Sequence, residues 1–209
     1  GNAATVGALV AALVTTFVLG TATAAGKTFR VTHTNDPEPG ACTRKSCSLR
    51  EAVRAANATP ARDTIVLPNR SRPYQLPRPG EDDEQALSGD LDILAPLNVV
   101  HRGKGFATID ANRLDRIFDA KEGAPLLLRR IVVRNGLSDG DGGGVLTVAN
   151  LRLVRTKVLR NESQGGDAGG IDLDGEARLT MRRSVVARNV AAFLSGGINT
   201  SGDGPSLIA

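Results

Sequence analysis

The sequence predicts an all-β protein, a right-handed parallel β-helix with an N-terminal capping α-helix. The first observation is an internal repeat anchored on Asn135, Asn161 and Asn189, which are 26 and then 28 residues apart. The second is that each repeat holds apolar runs of strand length and a Gly-Gly-aliphatic step. A period in the twenties without a helix-length apolar stripe indicates stacked β coils. The third is that only 3% of the 209 residues are aromatic, which suits a narrow core of aliphatic layers.

The repeat predicts columns of equivalent side chains, because coils stack at the sheet spacing of roughly 4.8 Å. We expect two apolar columns to face inward: Leu127, Leu153 and Met181, and Val132, Val158 and Val186. We expect two arginine columns to face outward: Arg129, Arg155 and Arg183, and Arg134, Arg160 and Arg188. The three anchoring asparagines would form a structural ladder of side-chain amides. A leucine-rich repeat is the alternative fold, but its asparagine follows the first leucine by about eight residues, whereas Leu128 precedes Asn135 by seven.

Residues 1–24 have the pattern of a secretory signal peptide. No charged residue occurs from Ala3 to Gly20, and small residues follow at Ala22 and Ala24. We expect cleavage after Ala24 or Ala25, and a location that is secreted or at the cell surface. An uncleaved anchor is the alternative, since the apolar run approaches the length of a thin membrane span. The run lacks an initiator methionine and a basic segment before it, so the chain is expected to start inside its own signal sequence.

One helix is predicted, from Cys47 to Asn57. Ser48 and Glu51 have the spacing of a capping box, and an apolar stripe at helical spacing is formed by Leu49, Ala52, Val53 and Ala56. We expect the stripe to cover the open end of the first coil. Arg50 is expected in solvent, and Asn57 is expected to close the helix in a left-handed conformation.

The two cysteines, Cys42 and Cys47, lie close together in a polar loop. If the protein is exported they should pair as a disulfide, which would rigidify a turn. A metal site is the alternative, but the only histidines, His33 and His101, are not nearby in the sequence.

The run Cys47 to Ala52 closely resembles the signature of the CSLREA domain. The upstream residues Asn35, Asp36, Gly40 and Cys42 and the downstream segments 55–57 and 63–65 stand in the order typical of that family, and segments 88–93, 108–111 and 115–118 are similar to its first coils. The resemblance covers the chain from about Phe29 onward. It implies an exported bacterial protein in which this module precedes parallel β-helix repeats of the pectin lyase-like fold. It implies no catalytic residue.

We divide the chain into a signal peptide at 1–24, an N-terminal cap region at 25–80 and β-helix coils at 81–209. Residues 68–84 are predicted to form a surface loop with a short strand from Tyr74 to Leu76. The four acids at 81–84 are expected to be solvated, with a calcium site as the alternative. The chain reaches Ala209 without a closing element, so we expect further coils to follow.

Two aspartate pairs could carry chemistry, because a glycosidase needs two converging carboxylates. These are Asp90 with Asp92 and Asp172 with Asp174. Neither pair has an insertion beside it to build a cleft, so we expect solvated strand acids. The sequence also lacks G-x-S-x-G, phosphate-loop and His-x-x-x-His motifs. We therefore predict no catalytic residue, no metal and no cofactor; a polysaccharide lyase or hydrolase with its site in coils absent from this chain is the alternative.

The arginine columns are the candidate ligand-binding residues. Like charges roughly 5 Å apart along a stack repel one another unless solvent or a polyanion screens them. We therefore expect a monomeric surface protein for adhesion or for binding an acidic polysaccharide or cell-wall polyanion. Arginines that simply extend into water over apolar strand surface are the alternative. Nucleic acid is not expected, because stacking aromatics are missing, and membrane contact would come only from an uncleaved signal or a C-terminal anchor.

Overall fold

The computed structural model describes residues 25–80 and 85–201, together with the backbone of 206–208. The predicted signal segment at 1–24 and the acidic run at 81–84 lie outside the described residues. In chain order the elements are β1 (Thr28–Arg30), α1 (Leu49–Asn57), β2 (Asp63–Leu67), β3 (Tyr74–Gln75), β4 (Leu91–Ile93), β5 (Leu97–His101), β6 (Ala107–Asp110), β7 (Phe118–Ala120), β8 (Leu126–Arg129), β9 (Ile131–Arg134), β10 (Leu137–Ser138), β11 (Val145–Thr147), β12 (Leu151–Val154), β13 (Lys157–Leu159), β14 (Glu162–Ser163), β15 (Ile171–Leu173), β16 (Arg178–Arg182), β17 (Val185–Ala187), β18 (Val190–Ala191), β19 (Ile198–Thr200) and β20 (Ser206–Ile208).

The strands stack into parallel sheets that run along one axis. Sheet A has the order β1-β2-β5-β8-β12-β16-β20, sheet B the order β3-β6-β9-β13-β17, and sheet C the order β4-β7-β11-β15-β19. A short sheet D, β10-β14-β18, lies between sheets B and C along the chain. Each coil is named here by its sheet A strand, so that the β8 coil contains β8, β9, β10 and β11. The predicted parallel β-helix is confirmed, with about four turns.

The interior consists of stacked aliphatic ladders. In sheet A the register partners Leu97, Leu126, Leu151 and Leu179 are all buried, and in sheet C the partners Leu91, Phe118, Val145 and Ile171 are fully buried. Burying one such side chain stabilises the fold by roughly 1.5–3 kcal/mol. Every coil adds equivalent residues to each ladder, so the same contact is repeated along the axis.

The helix α1 packs on β1, β2 and β4, as a cap should. Its predicted apolar stripe is buried, and its capping box is confirmed: the Ser48 hydroxyl accepts from the Glu51 amide, and the Glu51 carboxylate accepts from the Ser48 amide at 2.7 Å. The prediction for Asn57 is wrong. The next residue, Ala58, caps the helix in a right-handed conformation, and the Asn57 side chain bonds the Asp92 carbonyl and the Leu94 amide.

The prediction that Arg50 lies in solvent is also wrong, because the segment 86–90 folds over that side of the helix. Arg50 is fully buried, and its Nε donates to Asp36 at 2.8 Å. Its two terminal nitrogens donate to the carbonyls of Ala86, Ser88, Gly89 and Asp90. This guanidinium therefore joins the cap region to the start of β4. The predicted disulfide between Cys42 and Cys47 is present beside it.

The register of the strands corrects the predicted columns by one residue in the first repeat. Leu153 pairs with Leu128, and Val158 pairs with Val133, each 25 residues earlier. Leu127 and Val132 therefore belong to outward-facing columns. The Gly-Gly-aliphatic steps do follow the predicted spacing, since Ile171 pairs with Val145, 26 residues earlier. The extra residue lies in the loop that joins sheet D to sheet C.

Close stacking explains the glycines of that step. A Cβ on Gly144 would stand 2.5 Å from the Gly170 carbonyl oxygen of the next coil. A Cβ on Gly143 would stand 2.1 Å from the Glu162 carbonyl oxygen. Only glycine permits this approach of backbone to backbone.

Candidate functional site

The corner between sheets A and B carries a column of arginines along the axis. Arg130, Arg155 and Arg183 occupy equivalent positions there, one residue after the register partners Arg129, Val154 and Arg182. We call Arg130, Arg155 and Arg183 the corner column. The predicted column of Arg129, Arg155 and Arg183 is therefore wrong in its first member. Arg129 lies one position earlier, at the end of β8, beside the corner.

Each arginine of the corner column has a left-handed backbone, with φ of 56°, 50° and 51° along the chain. This conformation costs a residue with a Cβ roughly 1–2 kcal/mol, and glycine or asparagine adopts it more easily. The sharp turn from one sheet to the next imposes the conformation. The choice of arginine at three successive turns is not what the backbone alone would favour.

The described part of the chain offers these arginines little compensation. Arg130 donates to the Gly103 carbonyl, whereas Arg155 and Arg183 have no ion pair or side-chain hydrogen bond within it. Neighbouring Arg129 and Arg182 also have none. Two unit charges 4 Å apart in water interact by about 1 kcal/mol, so the stacked guanidiniums repel one another across each coil spacing.

The corner column borders a cleft of about 380 Å³ that runs across several coils. Its lining residues are His101, Arg102, Gly103, Arg129, Arg130, Val154, Arg155, Arg182 and Arg183. His101 is buried beneath them, and its ring nitrogens lie 2.9 Å from the Leu67 carbonyl and 3.3 Å from the Lys104 carbonyl. Six of the nine lining residues are arginines. The cleft can therefore bind negative charge at regular intervals.

The second predicted column, Arg134, Arg160 and Arg188, is also corrected in its first member. Arg134 pairs in register with Leu159, and its Nε donates to Asp110 at 2.8 Å. Arg160 and Arg188 are equivalent to each other and to Asn135, and all three have a left-handed backbone. Arg160 and Arg188 form a pair of unpaired cations at the corner between sheets B and D.

The asparagine ladder contains two of its three predicted members. Asn161 donates from Nδ2 to the Oδ1 of Asn189 at 3.0 Å. The Oδ1 of Asn161 accepts from the Gly136 amide at 2.9 Å. Asn135 lies one residue out of register, and its side chain donates instead to Asp110 at 2.9 Å. All of these bonds join adjacent coils.

A second charged cluster lies on the outer face of sheet C. Arg116 donates from one nitrogen to Asp90 and to Asp119, both at 3.0 Å, and Lys121 contacts Asp119 at 3.1 Å and Asp92 at 3.8 Å. The three carboxylates are all buried. The prediction of solvated acids is therefore wrong for Asp90 and Asp92. These acids neutralise cations within the fold.

Asp172 and Asp174 lie two coils further along sheet C. Asp172 is buried and accepts from the Asn199 amide at 3.0 Å, whereas Asp174 is half-buried. The exposed position predicted for Asp172 is therefore wrong. Burial raises the pKa of Asp172 to about 6, against the Asn199 hydrogen bond and with help from Asp174. Burial likewise raises the pKa of Asp90 to about 7, although the nearby Arg116 opposes it.

Sequence reasoning missed several residues of the basic corner, among them Arg102, Arg130 and Arg182. The adjacent arginines in Arg129-Arg130 and Arg182-Arg183 were a signal, because only one of two neighbours on a strand can share a column with Arg155. The residues that could ligate a metal give no site: within 25–80 and 85–201, no three His, Cys, Asp or Glu side chains are grouped to hold an ion. The same residues include no helix long and apolar enough to span a membrane.

The chain was compared with protein-family models, with curated proteins and with solved structures, and no match was found in any of the three.

Proposed function

We propose that this protein is an exported, non-catalytic β-helix whose basic corner binds an anionic extracellular polymer. The observation that carries the proposal is the corner column, where Arg130, Arg155 and Arg183 stand at left-handed turns. A polyanion along the solenoid axis would meet one arginine per coil and would relieve their mutual repulsion. The resemblance to the CSLREA domain supports export to the cell surface, where such polymers occur.

The carboxylates of sheet C do not favour an enzyme instead. A glycosidase needs one carboxyl group to give a proton and a second to activate water or attack the sugar. Asp90 and Asp119 share the Arg116 guanidinium, and Asp172 is held by Asn199. Each of these acids thus has a structural partner in the fold.

The test is equilibrium binding of two polyanions, inorganic polyphosphate and an alginate oligomer, to the chain 25–209 at several salt concentrations. We expect affinity to fall steeply as salt rises, because bound polyanions release counterions. Replacing Arg155→Gln with Arg183→Gln should weaken binding about tenfold at low salt, as two exposed ion pairs of up to about 1 kcal/mol each are lost.

The matched control is Arg44→Gln with Lys45→Gln, which removes the same charge from an exposed loop of the cap region. It should leave both affinities within about twofold of the original. Equal losses from the two double variants would show that net charge alone attracts the polymer. Binding that does not change with salt would overturn the proposal.

A further inference from the structure

The outer face of sheet B is an apolar floor beside the basic corner. Val132, Leu159, Val185 and Ala187 lie on its outward-facing columns, alternating with the buried Val133 and Val158. Val185 is 47% exposed. With Arg134, Lys157, Arg160 and Arg188, these four residues line a groove of about 380 Å³. We call Val132, Leu159, Val185 and Ala187 the sheet B floor.

Cations border the sheet B floor on both sides. The corner column stands at its start, and Arg160 and Arg188 stand at its end. Lys157 lies between them on β13, with its Nζ 4.7 Å from the centre of the Phe106 ring. Phe106 is 39% exposed and adds an aromatic surface beside the floor. The groove thus combines apolar area with positive charge on two edges.

This combination distinguishes one class of polyanion from another. A polyphosphate has charge along its whole length and no apolar surface to bury. A polyuronate carries a carboxylate on each sugar ring, and the ring also has an apolar face of C–H groups. Buried apolar area contributes roughly 25 cal/mol per Å², so only the glycan gains from the floor.

We propose that the sheet B floor selects an anionic glycan, with sugar rings packed on Leu159 and Val185 and carboxylates bound by the arginines on either side. This inference rests on the proposed function, since it assigns a polymer class to the same basic surface. The glycan would run along the solenoid axis, because both the floor and the arginines repeat in that direction.

The test compares alginate and polyphosphate oligomers of equal charge number on the double variant Leu159→Ser with Val185→Ser. We expect alginate binding to weaken about fivefold, because apolar contact area is lost, and polyphosphate binding to stay within about twofold. The matched control is Leu94→Ser with Val148→Ser, which alters two aliphatic residues of similar exposure, 42% and 41%, outside sheet B. It should change neither affinity.

The outcomes separate this inference from the proposed function. If both oligomers bind and the floor variant weakens them equally or not at all, the floor does not select the glycan and the inference is overturned. If neither oligomer binds the original protein, the proposed function itself is overturned, and the inference with it. Thermal unfolding of both double variants, matched to the original within a few degrees, shows that the sheet is intact.

Discussion

The basic corner and the acidic face of sheet C are charged ladders on the same stack of coils, but the fold uses them differently. On sheet C, Asp90 and Asp119 are buried and share Arg116, and Lys121 approaches from the next position on the same face. At the corner, Arg155 and Arg183 have no partner among the described residues. Charge that the fold has neutralised stabilises it, whereas charge left without a partner is available to a ligand.

Removing the shared cation should separate the two regions most strongly. We expect Arg116→Met to destabilise the protein by about 3–5 kcal/mol, because Asp90 and Asp119 would remain buried without their partner. Arg182→Met, at the exposed end of β16, should change stability by less than about 0.5 kcal/mol. Denaturant unfolding at pH 8 measures both. Equal effects would mean that the two ladders do not differ in their structural role.

The pH dependence of stability should sharpen the same contrast. The pKa of Asp90 is raised from 3.8 to about 7, chiefly by burial, while Arg116 opposes the rise and Asp92, Asp119 and Asp115 add to it. Because the folded state holds this proton more tightly, the contribution of Asp90 is fully present below about pH 4 and is lost as pH rises through about 7.

Asp90→Asn removes this titration and keeps an oxygen that can accept from Arg116. We expect the variant to gain stability relative to the original protein as pH rises from about 4 to about 7, and the difference to level off above that. Paired denaturant unfolding curves across this range measure the difference. A difference that stays constant with pH would show that Asp90 titrates near its ordinary value in the fold.

The fold could be predicted from the sequence because stacking demands equivalent residues in every coil. The apolar columns, the Gly-Gly steps and the capping box with Ser48 all follow from short-range spacing. The register could not be predicted as well. An anchor on Asn135 averages a 25-residue strand repeat with a 26-residue glycine repeat, since the loop between them changes length. Turns absorb such insertions without disturbing the sheets.

The candidate site was predicted only in outline for the same reason. The arginines at Arg155 and Arg183 were identified as equivalent, but their first partner is Arg130, because the strand register decides which of two adjacent arginines reaches the corner. The burial of Arg50 and Asp90 depends on the segment 86–90, which bonds to the helix from far along the chain. No local pattern indicates a contact of that kind.

The smallest expected effect tests whether the corner arginines are there for the fold at all. Arg155 has a φ of 50°, and glycine would adopt this turn without the clash of a Cβ. We expect Arg155→Gly to stabilise the protein by about 1 kcal/mol while it weakens polyanion binding. Arg152→Gly, on a strand of ordinary conformation in the same coil, should instead lose about 0.5–1 kcal/mol.

A variant that is more stable and binds less would show that Arg155 is kept at a cost to the fold, as residues in strained conformations at functional sites are. Thermal unfolding and alginate binding, measured on the same preparations, give both quantities. If Arg155→Gly were less stable than the original protein, the arginine stem would be covering apolar surface of sheets A and B. The corner column would then stabilise the fold, as the acids of sheet C do, and the contrast between the two ladders would disappear.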